Sequence, residues 1–154
     1  MLSTLTYANT FIKRSLETQV LLDHMQLQKM LYLLYARYAF KSGGDPLFAN
    51  NFECWPFGPV LSDVYQEFKK YEKRPIIDFA YDCNNRAAVI NTNEVPLFQQ
   101  CFDEVWSRFS LRSGVVLSRL THKEGTAWSK ANEKGNMLLN LEEIIRDGEI
   151  LFGQ

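Results

Sequence analysis

Two histidines, three cysteines and one dense cluster of aromatic and proline residues are the side chains here whose types and spacing could do chemistry. His24 and His122 lie far apart, and neither forms an H-x-x-x-H or Cys-His spacing, so no metal site is expected. Cys54, Cys83 and Cys101 are odd in number, widely spaced and without a C-x-x-C pair. That argues against a disulfide framework and for a reducing compartment, with three buried thiols as the expectation. Thr121-His122 with Glu124 could do acid–base work if held within hydrogen-bond reach of a substrate. A Thr-His pair that closes one helix and opens the next is more often a polar joint, so no catalytic residue and no cofactor is assigned. The run Trp55-Pro56-Phe57-Gly58-Pro59 reads in two ways. It is either a buried loop anchor that leads into a helix, its Trp ring tying the loop to the core, or part of a docking face, because aromatic anchors dominate binding energy at interfaces. Trp106, Trp128 and the tyrosines Tyr32, Tyr35, Tyr38, Tyr65 and Tyr71 share that ambiguity.

Composition narrows the classes. The chain has 154 residues, 46% of them hydrophobic and 14% aromatic, with 17 basic against 18 acidic side chains and a formal net charge of -1. That length suits one core and a single domain over residues 1–154, and such apolar content supports an ordered chain. Near-neutral charge supplies no global field to attract a phosphate backbone, so no nucleic acid is expected. Lys69, Lys70, Lys73 and Arg74 form the densest basic cluster and read as a solvated helix end. The first residues, MLSTLTYANTFIKRS, lack a basic start followed by an apolar stretch, and no segment offers about 18 uninterrupted apolar residues. A cytoplasmic protein without a membrane span is the expectation.

The elements that must position these residues follow from periodicity and caps. Ala8, Phe11, Ile12, Ser15 and Leu16 mark an amphipathic first helix. Asp23 three residues before Gln26, with Leu22 outside and Leu27 inside, matches a capping box and hydrophobic staple and predicts a second helix. Leu27, Met30, Leu31, Leu34 and Tyr38 form its main stripe, while Leu33, Ala36, Ala39 and Phe40 populate its other faces until Gly43. That helix must be covered on most sides, as the central helix of the domain. Gly43 to Pro59 predicts an irregular but anchored loop, with Pro59 as the first residue of a third helix carrying Leu61, Val64, Tyr65 and Phe68. Residues 76–90 carry β-branched and aromatic residues around Asn84-Asn85 and predict a small hairpin. Pro96 opens a fourth helix, Ser113 to Thr121 and Thr126 to Asn132 suit two short ones, and Asn140 with Glu143 caps the last. The fold class is therefore mostly α, a compact helical domain around a central buried helix with a small β-hairpin.

Three stretches, LQKMLYLLYARYAF, the segment from PLF to FECWPFGPVLSDVYQEFKKY, and LSRLTHKEGTAWSKA, resemble the signature of the Panacea (SocA-like) antitoxin domain family, which includes phage-associated GepA-like proteins. The likeness runs from about Ala8 to Phe152. Cys54 stands where Ala is usual, and Ala127 where Pro commonly precedes the Trp. The resemblance implies a non-enzymatic antitoxin that neutralises a cognate toxin protein by direct contact. An adaptor that delivers the toxin to a cellular protease, or a phage-encoded protein-binding module, is the alternative it leaves open; a DNA-binding repressor or an enzyme fits less well. The signature residues Trp55, Phe57, Gly58, Pro59, Tyr65, His122, Glu124 and Trp128 are then the partner-binding residues it points to.

Overall fold

The computed structural model describes residues 1–153. Within them lie α1 (Thr4–Thr18), α2 (His24–Lys41), β1 (Glu53–Trp55), β2 (Gly58–Val60), α3 (Ser62–Phe68), α4 (Pro96–Phe109), α5 (Gly114–Thr121), α6 (Ala127–Lys134) and α7 (Leu141–Ile150). The mostly helical expectation holds, and none of these helices is long and apolar enough to cross a membrane.

Helix α2 begins where its capping box dictates. The Asp23 carboxylate accepts from the Gln26 amide at 2.8 Å, and Gln26 Oε1 accepts from the Asp23 amide at 2.9 Å. Every residue from Leu27 to Ala36 is buried, so the helix is enclosed on all sides, principally by α7 and α4, with α5, β2, α1 and α3 completing the shell. Helix α7 comes closest. A Cβ placed on Gly148 would lie 2.0 Å from the Ala36 carbonyl oxygen, so the two helix backbones are in direct contact. Arg37 reinforces the junction with a two-pronged bond to Glu104 of α4, at 2.8 and 3.2 Å, and a third bond to the Gly148 carbonyl at 2.9 Å. Helix α1 turns Ala8, Phe11, Ile12 and Ser15 inward as its period predicts, with Leu16 partly buried beside them and Tyr7 buried as well. Ser113, Thr126 and Asn140 cap α5, α6 and α7, although at α7 only the Asn140 half of the capping box forms.

Four expectations are corrected. Residues 76–90 form no strand. Asn85 adopts the left-handed backbone expected of it (φ 59°), inside a tight turn closed by the Asp82 amide on the Arg86 carbonyl at 2.8 Å, but the chain on either side of that turn forms no ladder and bonds to α1. Asn9 donates to the carbonyls of Ala80 and Ala88 and accepts from the Ala80 amide, while Thr10 Oγ1 accepts from the Ile90 amide. The hairpin is instead β1–β2, with Trp55 paired to Gly58 across a two-residue turn of Pro56 and Phe57. Pro59 accordingly lies in a strand and does not open a helix. The Gln28 side-chain amide bonds both the N–H and the C=O of Leu61, at 2.9 and 3.0 Å, which keeps the chain extended until α3 starts at Ser62. Third, the anchors of the preceding loop are Phe48 and Phe52, buried against Tyr35 with ring centroids 4.9 and 5.4 Å away, whereas Trp55 is half-buried. Finally, of the three free thiols only Cys101 is buried; Cys54 is intermediate and Cys83 exposed.

Two stability outcomes follow. Gly148→Ala gains helix propensity but forces α7 off α2, so its unfolding midpoint in urea should fall by the equivalent of about 2–3 kcal/mol, as overpacked cores do. Phe52→Ala should cost about 3–5 kcal/mol as a buried aromatic deletion, and Trp55→Ala clearly less. Equal losses for the two aromatics would return Trp55 to the role of core anchor.

Candidate functional site

The β1–β2 turn leaves a row of carbonyls pointing away from its ladder, and a different helix supplies the donor for each alternate one. Trp128 of α6 donates its indole N–H to the Trp55 carbonyl at 2.7 Å. Ser118 of α5 donates its hydroxyl to the Phe57 carbonyl at 2.8 Å. Lys29 of α2 donates from Nζ to the Pro59 carbonyl at 3.2 Å. A buried carbonyl without a donor costs about 1–3 kcal/mol, so these bonds hold the turn in one arrangement. Gly58 is required beneath it, because its φ of 120° suits only glycine and a Cβ there would lie 2.8 Å from Lys29 Cε and 3.0 Å from Thr121 Oγ1.

Electrostatics at the base of the turn are set by burial. Lys29 is 1% exposed and has no ion-pair partner among the described residues; desolvation pushes its ammonium down to about 8. His122 stacks on Trp128 at 3.8 Å between ring centroids, and its Nε2 is buried with no hydrogen-bond partner. Burial first, and the Lys29 charge second, hold the imidazole below its ordinary value. On the far side of α6, Asp147 accepts from the Tyr32 hydroxyl at 2.5 Å and from the Ala127 amide at 3.2 Å. Burial nevertheless pushes that carboxyl up to about 6. This carboxylate joins α2, α6 and α7, and so sets where Trp128 stands.

Seven of the eight signature residues converge. Trp55, Phe57, Gly58 and Pro59 form the turn; Tyr65 packs on the Trp55 ring at 4.8 Å and on His24 at 6.0 Å; His122 and Trp128 buttress it from α5's end and α6. Glu124 stays apart, exposed in the α5–α6 turn beside an open depression that it shares with His122 and Lys130. Phe57, at the tip, is 65% exposed. Lys29, Ser118, Gln28 and Asp147 were not identified from the residue pattern. A signal existed for two of them: a helix that must be covered on most sides cannot leave Gln28 and Lys29 in water, so each needs a buried acceptor.

The family model described as "Antitoxin SocA-like, Panacea domain" matches residues 27–129, which include both the turn and its buttresses. Antitoxin SocA of Caulobacter vibrioides (strain NA1000 / CB15N) is 33% identical over 148 residues, covering 91% of this chain and 78% of that protein. No solved structure matches the chain.

The buried ammonium gives a test by pH. Its folded-state value, about 8, lies below the ordinary 10.5, so below pH 8 both states hold the proton and the penalty of burial is constant. Between about pH 8 and 10.5 the unfolded chain binds more protons, so the Lys29 contribution makes stability rise with pH. In Lys29→Met this contribution is absent. The unfolding free energy of the natural protein should therefore gain on that of the variant between pH 8 and 10, measured by urea titration; parallel curves would show a solvated ammonium.

Proposed function

Because this chain belongs to the antitoxin SocA-like, Panacea domain family, we propose that it is an antitoxin that neutralises a cognate toxin protein by binding it directly, with Phe57 as the central anchor of the docking face. The observation that carries this reading is a large aromatic ring left 65% exposed on a turn whose alternate carbonyls are bonded by three helices. An anchor already fixed in place loses little conformational freedom on docking, so more of the contact energy becomes affinity. A standard interface of about 1,600 Å² reaches high affinity only when a few such anchors sit at its centre. Trp55 and Tyr65, half-buried and packed on one another, extend the aromatic surface beside it.

A non-catalytic role is part of this proposal. Three polar groups near the turn that could attack or transfer protons are engaged in hydrogen bonds to backbone carbonyls. Ser118 bonds Phe57, Thr121 bonds the Ser118 carbonyl at 3.0 Å, and Lys29 bonds Pro59. The reading also places the protein in the cytoplasm, where a newly made toxin must be met.

Phe57→Ala is the direct test. Its melting curve should overlay that of the natural protein, since little area is buried, while affinity for the toxin encoded beside it should fall about 30-fold or more and growth rescue on co-expression should be lost. Unchanged affinity and rescue would remove the turn from the interface. Rescue that requires a cellular protease would replace sequestration with delivery for degradation.

A further inference from the structure

A second surface lies across α5 from the turn. At 100° per residue, Val116 and Leu120 stand roughly opposite Ser118, the residue that holds Phe57, and Lys123 follows just past the end of α5. Between that outer face and the end of α4 runs an open groove of about 620 Å³. Its apolar lining comes from Phe109, Val116, Leu117, Leu120 and Leu151, of which Val116 is exposed and Leu120 half-buried. Its charged lining is of one sign only. Arg108, Arg112, Arg119 and Lys123 line it, and no acidic residue does among those described.

Three of these cations are poorly matched within the described residues. Arg108 pairs with Glu104 at 3.4 Å, but the Arg112 guanidinium reaches only the Arg108 carbonyl, at 3.4 Å, and Arg119 and Lys123 make no ion pair or side-chain hydrogen bond with any described residue. In a chain of net charge -1 such a group does not reflect overall composition. We propose that this groove docks an acidic amphipathic helix of a partner protein, its apolar stripe on Val116 and Leu120 and its carboxylates against Arg112, Arg119 and Lys123. Apolar residues at i, i+3, i+4 and i+7 fit a groove bounded by two helices. Carboxylates on the flanks supply the complementary charge that sets orientation and encounter rate. A nucleic-acid backbone would satisfy the cations and leave the apolar lining uncovered, so the protein helix is the better match.

The probe is a fluorescein-labelled synthetic helix of about 18 residues, Leu at i, i+3, i+4 and i+7 and Glu on its flanks, titrated against the full chain by fluorescence anisotropy. Saturable binding is expected, weakened tenfold or more by Arg112→Glu/Arg119→Glu/Lys123→Glu, by Leu→Ala changes in the peptide, and by a rise in salt from 50 to 500 mM. Circular dichroism checks that the triple variant folds; should it not, Arg119→Ala/Lys123→Ala takes its place with the same expected loss. No saturable binding, indifference to charge reversal, or equal binding of the Leu-free peptide overturns the proposal, and tighter binding of duplex DNA would assign the groove to nucleic acid. None of these readouts involves the toxin or Phe57, so this surface and the turn stand or fall separately.

Discussion

Three hydrogen bonds, from Trp128, Ser118 and Lys29 to the carbonyls of Trp55, Phe57 and Pro59, are the constraint on which the candidate site depends. A two-strand ribbon alone is marginal in water, because few bonds oppose the entropy of ordering it. Here its polar groups are satisfied from outside the ribbon. The Met137 carbonyl accepts the Cys54 amide at 2.7 Å and the Leu139 amide donates to the Phe52 carbonyl at 3.0 Å, covering the other edge of β1. The consequence is a turn with both flanks fixed and one aromatic ring, Phe57, left to solvent.

The helices can supply those donors because α2 sets their places. Tyr32 of α2 bonds Asp147 of α7, the same carboxylate accepts the first amide of α6, and the next residue of α6 is Trp128. A chain of contacts thus runs from the enclosed core helix to the exposed turn. Its members are costly ones. Lys29 buries a cation against a single carbonyl, and Asp147 keeps Oδ1 buried without a partner. Burial of such groups opposes stability. Their physical return here is position, since an apolar residue at either place could not bond the turn or the start of α6.

How much of this was legible in the sequence differs by element. Helices with caps and long periods were readable to within a residue or two: the Asp23–Gln26 box opens α2, Pro96 opens α4, and Ser113, Thr126 and Asn140 open the last three. The hairpin was misplaced because local turn chemistry favours Asn84-Asn85, whereas the decision was made by Asn9 and Thr10, some 70 residues away, which take the backbone bonds a ladder would have used. The true hairpin has Pro56-Phe57 at its turn and gains its strand character from Gln28 and Lys29. Signature residues were recognised as a group, yet whether each ring faces core or solvent was set by tertiary packing. Phe52 and Trp55, three residues apart in one aromatic run, ended in different environments.

The central claim is that fixing the turn, and not merely exposing Phe57, produces binding. Titration calorimetry of the cognate toxin against a Ser118→Ala/Trp128→Phe variant tests it most directly, because Phe57 remains while two of the three carbonyls lose their donors. An affinity at least tenfold weaker with a less favourable binding entropy is expected, as a loosened anchor must be ordered on docking. Affinity equal to that of the natural protein, in a variant shown to have lost those two bonds, would contradict it.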